Sequence, residues 1–189
     1  FYVMGFMTVT FASFVYPIYF DDRYMADRVS LSMFWVYILA IPFYLFFNVR
    51  VTGDYIPLME TVAYDLTPEI HNWFTRIDPF TNGMPSLHIG LPFAIWLTMT
   101  RWDEDGRWMK FRRFLVAFIA LTAFSIIYLG IHWAIDIIGG MLVAIASVAV
   151  TERTHKGIWT VADERLFTRK LARLCLLYTS PSPRDDCPS

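Results

Sequence analysis

The sequence predicts an all-α polytopic membrane protein, a bundle of transmembrane helices. Three observations carry that prediction. The 189 residues are 56% hydrophobic and 18% aromatic, more apolar than a soluble domain of this length. Mean hydropathy is +0.43. The apolar residues gather into long runs almost free of charge, as bilayer-crossing helices require. A formal net charge of −1 supplies no global basic field, so nucleic acid is not an expected partner.

Five spans follow in order. Phe1–Phe20 is the first, and Leu31–Phe47 the second, ending before Asn48. Ser86–Thr100 is the third; it is short and carries Pro92, a kink site. Phe114–Ile131 is the fourth. Trp133–Val150 is the fifth, and its Gly139 and Gly140 permit close approach of a neighbouring helix. The chain opens on Phe1 inside an apolar run with no initiator Met, so an upstream span is expected to be missing. Residues 1–174 are read as one transmembrane domain. From Cys175 the composition changes abruptly to "CLLYTSPSPRDDCPS", read as a non-native tail over 175–189, with a genuine disordered tail as the alternative. Both cysteines fall in that tail, so the rest of the chain has no disulfide and no thiolate ligand.

Positive charge orients the spans. Residues 21–30, 101–113 and those after Val150 share one side and hold most of the Lys and Arg, including the loop "RWDEDGRWMKFRR". Residues 48–85 and the turn around His132 share the other, with Arg50 and Arg76. The first side is expected to be cytoplasmic and the second exoplasmic. Within 48–85, "TPEIHNWFTRID" fits a short helix on the membrane surface, with Thr67 as cap and Ile70, Trp73, Phe74 and Ile77 facing the lipid. His71 and Arg76 fall on its solvated face, and His155 among cytoplasmic charges. Trp35, Trp102, Trp108 and Trp133 fit an interfacial aromatic belt.

Two motifs interrupt this apolar background. "YLGIHWAID", residues 128–136, places His132 and Asp136 four apart, where side chains stack on one helix face. Ionisable groups are costly in a membrane and mark function. "NGMPSLHIG", residues 82–90, puts Pro85 in the first turn of a helix whose free N–H groups and positive dipole end suit an anion. Ser86 adds a hydroxyl donor and His88 a titratable imidazole. In the five-span topology both motifs reach the same exoplasmic level.

"PSLH" followed some forty residues later by "HWAID" resembles the type 2 phosphatidic acid phosphatase superfamily. The "PSLH" form and the "YLxxHxxxD" context look most like its inositol phosphorylceramide synthase branch. The resemblance spans about residues 1–155. It implies that His132 attacks phosphorus to form a phosphohistidine, that Asp136 holds the imidazole, and that His88 protonates the leaving alkoxide. Ser86 and the nearby N–H groups would bind the phosphoryl oxygens. The family's first motif supplies a Lys and an Arg, of which only Arg50 stands in "FNVRVTGDY". Its third motif has Ser-Arg before the histidine; Ser125–Ile126 stand here, so that arginine is absent. Fewer cations tilt the site toward a singly charged phosphodiester or toward transfer chemistry.

The expected function is therefore cleavage of a lipid-linked phosphate ester, by a lipid phosphatase or by a phosphotransferase with an alcohol acceptor. The partners are the lipid substrate and the bilayer. No cofactor and no metal are expected, although two histidines and an aspartate have the composition of a facial metal triad. A structural ion pair is the bland reading of His132 and Asp136, and a plain helix cap that of Ser86. A transporter or scaffold is the non-enzyme alternative; it would place charges within the spans, which hold almost none besides Asp136.

Overall fold

The computed structural model describes residues 2–47, 49, 50, 52 and 83–162. Phe1–Glu152 forms one compact unit, and the site lies within it; Arg153–Ser189 forms a second, described only over its helical residues 153–162. The proposed surface helix, with His71 and Arg76, lies outside the described residues.

Five helices stand among the described residues: α1 Tyr2–Tyr19, α2 Arg23–Phe46, α3 Leu87–Trp102, α4 Met109–Tyr128 and α5 Ala134–Ala162. Three are long and apolar enough to cross a membrane: α2, α4 and the Ala134–Ile158 part of α5. The chain is a multi-pass membrane protein. α1 is apolar along its 18 residues, and α3 has 16 residues, about 24 Å at 1.5 Å per residue. The shortness of α3 was expected.

Apolar side chains face outward along these helices. Ile138, Leu142 and Ile145 of α5 are exposed at helical spacing, as are Phe34, Ile38, Ile41 and Leu45 of α2. In water such stripes would drive aggregation; in hydrocarbon they are the solvated surface. Several polar residues inside the bundle bond back to their own helix or to a neighbour. Ser13, Ser147 and Thr151 donate to main-chain carbonyls, and Thr98 bonds both the Ala94 carbonyl and the Ser32 hydroxyl of α2.

α3 packs against α1, α2 and α4. One apolar cluster joins Val9, Val29, Ile95, Met99 and Leu115; another joins Val36, Leu91, Ala94, Val143 and Ala144. α5 reaches α3 through glycine. A Cβ on Gly140 would run into the Ser86 carbonyl, and one on Gly90 would stand 3.2 Å from the Gly140 carbonyl.

The charged end of the bundle gathers the α1–α2 and α3–α4 connections. Asp22 caps α2 by accepting the Met25 N–H, and its other oxygen accepts the Trp108 indole N–H at 2.8 Å. Asp103 accepts the Trp108 main-chain N–H and pairs with Arg112 at 3.4 Å. Trp108 is thus a core residue rather than part of an interfacial belt: its ring is buried among Val9, Met25 and Leu115, and its only donor is used inside the protein.

Candidate active site

The opposite end of α3 meets the start of α5. His132 does not lie on a helix. It sits in the turn between α4 and α5, and the backbone before it is fixed by the end of α4. Gly130 has φ +69°, the left-handed conformation that closes a helix. The Gly130 N–H bonds the Ile127 carbonyl and the Ile131 N–H bonds the Ile126 carbonyl, the paired bonds of a Schellman stop. Its usual apolar clasp is present, since Ile126 and Ile131 are buried in one cluster with Ile89 of α3. The His132 N–H shares the Ile126 carbonyl at 3.3 Å, so the turn delivers the imidazole at a defined place.

Asp136 lies in the first turn of α5 and folds back. Its Oδ2 accepts the Trp133 N–H at 2.7 Å, satisfying a helix-start donor as the acidic member of a capping box does. The same oxygen stands 3.4 Å from His132 Nδ1. The expected His–Asp contact therefore exists, but through a capping turn and not through stacking on one helix face. Both side chains are buried.

α3 begins one residue later than expected. Ser86 has extended backbone angles and is the N-cap, so Pro85 precedes the helix instead of occupying its first turn. Two ties hold this segment. The Ser86 N–H donates to the Asp136 main-chain carbonyl at 3.1 Å, and the Tyr44 hydroxyl of α2 donates to the Pro85 carbonyl at 2.6 Å. Ser86 makes no side-chain cap bond; its hydroxyl is buried and without a partner, as is Asp136 Oδ1.

The two histidines meet. His132 Nε2 is 3.4 Å from His88 Nδ1, with ring centroids 5.7 Å apart. His132 Nδ1 is 2.8 Å from the Gly83 carbonyl oxygen. A carbonyl only accepts, so Nδ1 carries the proton and Nε2 keeps its lone pair on the side facing His88. Phe6 of α1 closes the other side of His88, with ring centroids 4.7 Å apart.

The structure thus brings together His132, His88, Asp136 and Ser86. Arg50 is tied in through its main chain: its carbonyl accepts the Trp133 indole N–H at 2.9 Å, next to His132. Ile126, where the resemblance implies an arginine, is fully buried in the apolar cluster. Among the described residues no three His, Cys, Asp or Glu side chains converge to hold a metal ion. Sequence reasoning missed Gly83, Tyr44 and Phe6. Only Gly83 left a signal, a glycine ahead of a motif, where backbone often approaches closely.

An all-helical membrane protein with two histidines and an aspartate joined at one end of its helices is the class these observations define. The chain belongs to the PAP2 superfamily, whose family model matches residues 1–150. Proteins of this superfamily are generally phosphatases or phosphotransferases. No curated protein and no solved structure matches the chain.

Proposed function

We propose that the protein cleaves a lipid-linked phosphate ester through a phosphohistidine on His132. The observation that carries this reading is the His132 ring, with Nδ1 bonded to a carbonyl and Nε2 facing the second histidine. In the first step Nε2 forms a bond to phosphorus and the P–O bond to the lipid breaks. The leaving alkoxide takes a proton from His88. In the second step His88 removes a proton from water, the resulting oxygen attacks phosphorus, and the P–N bond breaks to release phosphate. Asp136 stabilises the positive charge that develops on the His132 ring. Ser86, with its unpartnered buried hydroxyl, and Arg50 hold the phosphoryl oxygens. Two nitrogens 3.4 Å apart leave no room for phosphorus between them, so the rings part when substrate enters.

The charge distribution supports an exoplasmic site. The basic residues at the start of α2 (Arg23, Arg28), the end of α3 (Arg101), the α3–α4 connection (Arg107) and the start of α4 (Lys110, Arg112, Arg113) lie at the far end of α3 from His132, as a cytoplasmic face requires. A second reading is favoured by Ile126. With an apolar residue in the arginine's place, the site suits a singly charged diester and transfer to an alcohol, as in the inositol phosphorylceramide synthase branch. The test is turnover by full-length protein in lipid nanodiscs, on a panel of lipid phosphates with and without inositol or other alcohols, with products read by mass spectrometry. Free phosphate as the product supports the phosphatase; a new phosphodiester only with alcohol present supports the transferase. No product from any lipid removes both.

A further inference from the structure

Resting on the reading of His132 as the nucleophile, we propose that the main-chain carbonyl of Gly83 is the positioning group for that ring, holding its proton on Nδ1 and its Nε2 lone pair toward His88. The usual expectation gives this task to the aspartate four residues on. Distances argue otherwise. The Gly83 oxygen is 2.8 Å from Nδ1, whereas Asp136 Oδ2 is 3.4 Å away and already accepts the Trp133 N–H at 2.7 Å. The carbonyl has the geometry of a full hydrogen bond, and the carboxylate that of a neighbouring charge. The two tasks separate: the carbonyl selects the tautomer, and the carboxylate stabilises the cation formed on attack.

The segment carrying this carbonyl is pinned on both sides. The Gly83 N–H donates to the Val49 carbonyl at 2.9 Å. Two residues on, the Pro85 carbonyl accepts the Tyr44 hydroxyl, and then the Ser86 N–H reaches the Asp136 carbonyl. Glycine is required because any Cβ at position 83 would lie 2.8 Å from the Val49 oxygen, a main-chain atom that cannot swing aside. Gly83→Ala must therefore push the residue away and move its carbonyl off the His132 ring.

The test separates tautomer from turnover. Full-length protein with ¹⁵N-histidine is studied in nanodiscs, and the His132 signals are assigned by their loss in His132→Gln. Neutral His132 is expected to show a protonated Nδ1 in the native protein and equally in Asp136→Asn. Gly83→Ala is expected to shift the proton toward Nε2 and to lower kcat by up to about 10⁴-fold at unchanged KM, the scale of loss when a catalytic histidine is held in the wrong tautomer. If Gly83→Ala does not fold, replacing the 83–84 peptide bond by an ester, through an α-hydroxy acid at position 84, weakens the same carbonyl acceptor without adding a Cβ. The ester variant should show the same loss of Nδ1 protonation. Loss of Nδ1 protonation in Asp136→Asn, together with its retention in the ester variant, would overturn the assignment and return the role to Asp136. Native protein that shows the Nδ1 proton but turns over no lipid phosphate would uphold the hydrogen bond and remove the phosphohistidine reading alone.

Discussion

The two ends of the helical unit close a helix in the same way and then diverge. α1 stops at Asp21, which takes φ +57°, with the Asp21 N–H on the Ile18 carbonyl and the Asp22 N–H on the Pro17 carbonyl. α4 stops at Gly130 with the same pair of bonds. At the charged end the residue after the stop is Asp22, which caps the next helix and holds the Trp108 indole. At the histidine end the stop is followed by Ile131 and His132, and the next helix is capped backwards by Asp136. Asp103 and Asp136 are both buried carboxylates, yet Asp103 is paired with an arginine while Asp136 keeps one oxygen without a partner. One backbone device thus serves assembly at one end and presents a poised imidazole at the other. At the charged end the buried carboxylate meets a cation, and at the histidine end it meets an imidazole and a main-chain N–H.

The largest expected break in this comparison is His132→Ala. It should lower turnover on the order of 10⁴-fold or more, as loss of a nucleophile does. Asp103→Asn, an equally buried change at the charged end, should leave turnover within a few-fold in the same assay. His88→Ala comes next, with a loss of about 10²- to 10⁴-fold on alkyl esters, the range for a missing general acid. An aryl phosphate, whose leaving group needs no proton, should restore the phosphorylation step, read as the initial burst of released phenol, far more in His88→Ala than in His132→Ala, while the following hydrolysis stays slow; equal restoration of the burst would contradict the division of roles.

Smaller effects test the backbone. Gly140→Ala forces α5 off the Ser86 carbonyl and should cost about 1–3 kcal/mol, the range for overpacking, read as a lowered midpoint of thermal unfolding in detergent. Turnover should fall with it, because the same contact sets Ser86 against Asp136. The two helix stops give the finest comparison. Gly130→Ala puts a Cβ into the left-handed conformation and should cost about 1–2 kcal/mol. Asp21→Gly relieves the same strain at the charged end and should gain up to about 1 kcal/mol. Opposite signs in the unfolding midpoints are expected, with turnover altered only by the change at position 130.

Much of this was legible in the sequence. Uncharged apolar runs located all five helices, because hydrocarbon leaves the backbone no other way to satisfy itself over such lengths. "PSLH" and "HWAID" marked the two strands of chain that meet at the site. Local detail was less legible. Four-residue spacing between His132 and Asp136 suggested a shared helix face, but Gly130 ends α4 and the new helix begins only at Ala134. Pro85 suggested a first helical turn, but the tie from Ser86 to Asp136 holds the residue before α3 extended. The Gly83 carbonyl was invisible for a plainer reason: a main-chain acceptor is present in every residue, and only folding decides which one reaches an imidazole.

The central claim is that His132 Nε2 bonds to phosphorus. Its most direct test is a rapid quench of native protein turning over a ³²P-labelled lipid phosphate, followed by mapping of the label. The account predicts a phosphoenzyme that is stable to base, labile to acid, and carried on Nε2 of His132, accumulating when His88→Ala is given an aryl phosphate because its hydrolysis step then lacks a base. Steady turnover with no histidine-bound phosphate at any quench time, or label carried on His88, would contradict it.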